Sequence, residues 1–271
     1  MGERFEQRRD AEVPASPEEV WAAIATGPGI DSWFMGHSEV EPGGSGTDGD
    51  AGGGTVRTAF GEYAPELGIT AWNPPWRFGY RSAEAPDGRF IAYEFLIEGR
   101  DGGSTVLRAV TSGFIPGDDW ADEYEAMTAG GDAYFRTLVE YLTHFSGRYA
   151  VPVTAFGPAA RPAARPGARP GTGWERDRAL LCAALGLPRG GAPGDLARFT
   201  AAETGRPVEA VVYHAAGNVI GVRAPGAFYR FLRGFGHPMV AAHQLFSEDT
   251  DPDHAARAWE SWLARVLDPA S

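Results

Sequence analysis

No lysine occurs among the 271 residues, so all 24 basic side chains are arginine. We read this as the codon bias of a GC-rich genome rather than as chemistry. A single cysteine, Cys182, rules out an internal disulfide and points to a reducing compartment. It lies in the apolar run LLCAAL, which reads as a buried structural thiol rather than a reactive one. No apolar run reaches the length of about 18 residues needed to cross a bilayer. The opening MGERFEQRRD has charge without an apolar h-region, so neither a membrane span nor a secretory leader is expected. The chain also lacks HExxH, CxxC, a paired-glycine phosphate loop and a nucleophile elbow. His237 and His243 are too isolated to suggest a metal site, and no cofactor is implied.

What is present is globular: 43% hydrophobic and 12% aromatic residues. Charge is uneven. Residues 1–147 carry 25 acidic and 10 arginine side chains, net −15, and the remainder carries net +3. An acidic first half speaks against nucleic-acid binding there, because phosphate backbones attract cationic surfaces.

The stretch Glu12–Phe34, EVPASPEEVWAAIATGPGIDSWF, holds the clearest local signals. Ser16 can cap a helix, Pro17 suits its first position, and Glu19 completes a capping box. Val20, Trp21 and Ile24 form the apolar stripe. A strand is expected near 4–13. Others are expected near 34–40, 55–63, 66–72, 77–82, 89–98 and 105–112, with a long helix over 118–145. Strands bounded this closely suggest an antiparallel sheet. A curved antiparallel sheet around one long C-terminal helix is the α+β helix-grip fold.

Residues 157–173 read GPAARPAARPGARPGTG, with Arg-Pro every four residues, and have linker composition. We therefore expect a domain over 1–147, a linker over 148–173 and a smaller α+β domain over 174–271. That last part repeats the pattern of helix, strands near 196–201, 208–214, 219–223, 228–233 and 239–246, and closing helix over 253–267. It reads as a shortened second copy that lacks the early strands.

Four segments carry a family resemblance: VPASPEEVWAAI with SWF; GEYAPELGITAWNPPWRFGY; STVLRAVTSGF; and the long helix ending in EYLTHF. Together they make residues 5–147 resemble the START-like (Bet v 1-like) superfamily. Within it, the chain resembles the branch named after activators of the heat-shock chaperone ATPase. The resemblance implies a cytoplasmic bacterial protein with a cavity between sheet and helix for a small apolar molecule. Alternatives within the same resemblance are a cyclase- or dehydratase-type enzyme using that cavity and a module acting on a chaperone ATPase. Family members often read His-Ser-Gly where this chain has Thr111-Ser112-Gly113; the second half offers His243 at the analogous place.

Candidate cavity residues are Trp33, Trp72, Trp76, Tyr80, Tyr93, Trp120, Tyr124, Met127, Gly131 and Tyr134. Tyr and Trp suit an apolar pocket because each joins an apolar body to one polar atom. Ordinary core is the competing reading for each. Gly130 and Gly131 each cost a helix about 1 kcal/mol relative to alanine. Room for a ligand at Gly131 would account for that, as would close packing or a kink. Glu94 and Arg108 lie on neighbouring strands, able either to pair or to polarise a ligand. His37 shares a strand face with Glu39, with Glu62 and Tyr63 one strand on. A His–Glu pair can do acid–base work, and it is also a common chance spacing. Ligand identity and oligomeric state are not legible.

Overall fold

The computed structural model describes residues 2–43, 53–60, 64–117, 120–158, 172–187, 190–233 and 239–268. The chain forms two compact units, 1–149 and 150–271.

In the first unit, β1 (Glu3–Val13) leads into α1 (Pro17–Ala25) and α2 (Gly27–Asp31). The capping box forms: Glu19 N–H donates to Ser16 Oγ at 3.2 Å and Ser16 N–H to the Glu19 carboxylate at 2.8 Å. Six strands follow: β2 (His37–Pro42), β3 (Gly54–Ala59), β4 (Glu66–Asn73), β5 (Arg77–Arg81), β6 (Phe90–Gly99) and β7 (Thr105–Ile115). They form a seven-stranded antiparallel sheet in the order β1-β7-β6-β5-β4-β3-β2. The unit closes with α3 (Trp120–His144). Its second half packs firmly, with Ala133, Thr137, Leu138, Tyr141 and Leu142 buried.

The second unit opens on β8 (Val151–Phe156), then α4 (Thr172–Ala184). It continues through β9 (Leu196–Thr200), β10 (Pro207–Ala216), β11 (Val219–Ala224), β12 (Ala227–Arg233) and β13 (Met239–Leu245) to α5 (Pro252–Leu267). Its sheet order is β8-β13-β12-β11-β10-β9, so the first strand lies beside the last, as in the first unit. This corrects the linker assigned to 148–173. Residues 151–156 are a strand paired with β13 from Val151↔Leu245 to Phe156↔Val240. The physical reason is alternation: Val153 and Ala155 point into the core while Thr154 and Phe156 stay more open. The second unit therefore has its first strand, and it has one strand fewer than the first unit. The Arg-Pro repeats at 161–170, the expected linker proper, lie outside the described residues, as do Glu62, Tyr63 and His237.

Candidate functional site

Register decides which side chains face α3. Phe5 of β1 stacks edge-on with Tyr124 of α3 at 5.7 Å, and Gln7 Nε2 donates to Thr128 Oγ1 at 2.6 Å. Odd-numbered β1 residues therefore face the helix. Pairing carries that parity across the sheet: Gln7↔Thr111, Thr111↔Tyr93, Tyr93↔Tyr80. The gripping face of β4–β7 thus presents Leu67, Ile69, Trp72, Phe78, Tyr80, Ile91, Tyr93, Phe95, Ile97, Leu107, Ala109 and Thr111. None of these is charged.

That face is unevenly filled. Phe78, Phe95, Ile97 and Leu107 are buried, whereas Tyr80, Ile91, Tyr93, Ala109 and Thr111 remain half-buried in one contiguous patch. Tyr80 stacks with Phe78 and Tyr93, each at 5.2 Å between ring centroids. Burial, reinforced by the neighbouring Tyr93 phenol, pushes its pKa far up.

The expected lining residues divide. Tyr80 and Tyr93 share the patch. Tyr134, half-buried, stacks on Phe34 at 4.5 Å. Trp120, Tyr124 and Met127 lie half-buried along the first half of α3, with Trp120 edge-on to Tyr124 at 6.2 Å. Trp72 packs with Trp21 at 5.0 Å and Phe78 at 5.5 Å, in the core under α1. Trp33 is only 5% exposed; its indole N–H donates to Ala23 O at 2.9 Å and its ring meets Phe34 and Phe95. These contacts tie it to α1 and the core. Trp76 is 48% exposed in the turn from Asn73, so it is no lining residue.

Gly131 does not supply the expected room. A Cβ there would stand 2.6 Å from the Arg9 guanidinium, so this glycine lets an arginine cross the helix. One residue earlier, at Gly130, an added Cβ meets nothing within 4 Å. Gly130 shares a helical face with the inward-packed Ala133, Tyr134, Thr137 and Tyr141.

The polar candidates sit elsewhere. Glu94 has the parity of the outer face, where its carboxylate accepts from Arg77 Nε at 2.8 Å. Arg108 shares that outer face and donates to Asp10 at 2.6 Å. Neither reaches the patch. His37 bonds through Nδ1 to Asp31 at 2.7 Å rather than to Glu39, and its side chain is 68% exposed. Asp31, which sequence reasoning passed over, is buried and also accepts from Ser38 N–H at 2.6 Å. Burial raises its pKa, and the Ser38 N–H and His37 partly offset this. Its burial at the α2–β2 junction gives it a structural role, which only the fold reveals. Among the described residues no three His, Cys, Asp or Glu side chains are grouped to hold a metal. Nor is any described helix long and apolar enough to cross a membrane.

No family model matches the chain, and no curated protein matches it in sequence. Solved structures do match. A protein from Mesorhizobium loti is similar at 20% identity over 51% of this chain and 96% of its own, TM-score 0.41. The Aha1 dimer from Colwellia psychrerythraea is similar at 20% over 53% and 99%, TM-score 0.39. The di-domain ARO/CYC BexL of the BE-7585A biosynthetic pathway is similar at 14% over 97% and 96%, TM-score 0.45. At such identities these are likenesses of fold. The first unit's own topology has β1 laid back against the last strand, a helix pair before β2 and a long closing helix packed on β1 and β7. The first unit has a helix-grip fold, an antiparallel sheet closed by one long C-terminal helix.

The second unit follows the same helix-grip order with a filled interior. Trp259 of α5 is fully buried amid Phe199, Tyr229, Phe231 and His243, the last at 4.4 Å between ring centroids. His243 Nδ1 accepts from Arg230 N–H at 3.1 Å, which fixes the neutral tautomer. Burial, and next the Arg230 charge, lower its pKa well below the ordinary value. The imidazole here is thus a core group. Cys182 is buried in α4. Burial raises its thiol pKa and outweighs the opposing pull of Arg178 one turn earlier.

Proposed function

We propose that the first unit binds a small, uncharged, largely apolar molecule between its sheet and α3. One observation carries this reading: Tyr80, Ile91, Tyr93, Ala109 and Thr111 form a contiguous half-buried patch on a gripping face whose Leu67, Ile69, Phe78, Phe95, Ile97 and Leu107 are buried. Apolar pockets with a few oriented polar groups suit such ligands, and here the phenols of Tyr80 and Tyr93 and the Thr111 hydroxyl are those groups. The absence of charge on this face of β4–β7 favours a neutral ligand, and Arg9, the cation opposite Ala109 on β1, is already paired with Asp132. It also favours binding over acid–base catalysis, since Glu94 and Arg108 lie on the opposite face.

The test is a substitution with opposite outcomes for a cavity and for a packed core. Thr111→Phe is expected to leave stability nearly unchanged and to abolish the stabilisation given by the neutral dye N-phenyl-1-naphthylamine. At 100 times its Kd that stabilisation is about 2.7 kcal/mol, read by thermal unfolding. A Thr111→Phe protein that loses about 1–3 kcal/mol, the usual cost of overpacking, and a wild-type protein indifferent to the dye would together sink the reading.

A further inference from the structure

Gly130 and Gly131 look alike in sequence and differ in the fold. Gly131 has a packing reason, since any side chain there would strike Arg9. Gly130 has none, since alanine would fit and would strengthen the helix. The pair also divides α3 into unequal halves. After it, Ala133, Thr137, Leu138, Tyr141, Leu142 and Phe145 are buried. Before it, Trp120, Tyr124, Met127 and Thr128 are only half-buried.

Polar and aromatic contacts from β1 and from the residue before β6 hold the first half among the described residues. Phe5 touches Tyr124, an Arg89–Glu123 ion pair is exposed, and Gln7 Nε2 donates to Thr128 Oγ1 at 2.6 Å. Arg9 completes the set by straddling the glycines. Its Nη2 donates to Thr128 O at 3.2 Å on one side, and its Nε donates to Asp132 Oδ1 at 2.7 Å on the other. The same Nη2 donates to Gln7 Oε1 at 2.9 Å, so the two β1 side chains act as one unit.

From this geometry we infer that residues 120–129 form a gate over the binding patch, hinged at Gly130 and latched by Gln7 and Arg9. The inference rests on the binding reading above. It assigns a purpose to a glycine that packing does not require, and it gives the half-buried patch an entrance. Among the described residues, opening breaks the Phe5–Tyr124 ring contact, the exposed Arg89–Glu123 ion pair and the Gln7 and Arg9 bonds to Thr128. The Arg9–Asp132 pair, beyond the hinge, stays with the fixed half of the helix.

Two measurements on the full chain test it. In stopped flow with N-phenyl-1-naphthylamine, Gly130→Ala is expected to slow binding and release alike by about fivefold. That is the factor set by the glycine-to-alanine propensity difference, and Kd stays constant. Arg9→Gln is expected to speed both by about tenfold, the factor of one charge-assisted hydrogen bond. A change in Kd alone, or unchanged rates in both variants, overturns the gate. Hydrogen exchange of the ligand-free protein decides independently. Amides at 124–130 are expected to exchange at least about tenfold faster than those at 134–142, as local opening requires, with the gap narrowed by Gly130→Ala. Equal protection of the two halves overturns the gate. If the dye fails to bind at all, the binding reading falls, and the exchange comparison still rules on the hinge.

Discussion

Replacing Trp259 with alanine is expected to cost the second unit about 3–5 kcal/mol, the usual penalty for emptying a large aromatic site. That is a large part of the roughly 5–15 kcal/mol that holds a domain together. The indole is fully buried and touches five rings, with centroids 4.4 Å from His243, 5.1 Å from Trp262, 5.5 Å from Tyr229, 5.7 Å from Phe231 and 6.4 Å from Phe199. It comes from α5 while Phe199, Tyr229, Phe231 and His243 come from the sheet, so its loss separates helix from strands as well as opening a void. Its Nε1–H has no acceptor among the described residues, so the stabilisation is packing rather than hydrogen bonding. Trp259→Phe should therefore recover more than half of the loss. Urea unfolding, with amide exchange followed over 196–245, gives the number. A loss below about 1 kcal/mol would show that this core repacks around the gap.

Acidification should destabilise the same unit through His243. In the fold its Nδ1 already accepts a backbone N–H, and its Nε2 finds no partner among the described residues. Protonation would break the first bond and leave a charge within an aromatic box, close to the Arg230 cation that also opposes it. Tyr229 and Phe231 from β12 and Trp259 from α5 face the ring. The carboxylate next to this box, Glu203, accepts from the Tyr229 hydroxyl at 2.9 Å. The folded pKa is depressed, so the unfolded chain takes up the proton first. The imidazole's contribution is complete above its unfolded pKa of about 6.5. It falls by about 1.4 kcal/mol for each pH unit below that, until the folded pKa is reached. His243→Asn keeps an acceptor near the Nδ1 position and removes the titration. Its unfolding free energy should lose this slope below about pH 6.5, although the variant starts lower because the ring is gone. Parallel wild-type and variant curves over that window would show that other groups govern acid sensitivity.

Features set by a few neighbouring residues were legible in the chain. The capping box at Ser16 and Glu19, the strand alternation at Ile91, Tyr93, Phe95 and Ile97, and the long closing helix all follow from local rules. The helix-grip architecture follows from them. Part of what failed depended on a distant partner. Gly131 owes its identity to Arg9, far away in sequence, so spacing on the helix could not separate it from Gly130. Glu94 was in fact placed by its own strand, because the apolar parity that put Tyr93 inside put Glu94 outside. Trp76 resembled a lining residue by type, and the turn from Asn73 carries it into solvent. The strand 151–156 was absorbed into the Arg-Pro segment that follows it, although its own alternation of valine and alanine was a usable signal.

Cys182 makes the second unit a timepiece. It is the chain's only thiol, it lies buried on α4, and burial holds it in the unreactive protonated form. A maleimide or disulfide reagent added to the intact protein therefore consumes it slowly through the surface pocket it borders and faster when that helix opens, while the first unit contributes no signal. The dependence of that rate on denaturant separates the two routes, with no engineered label.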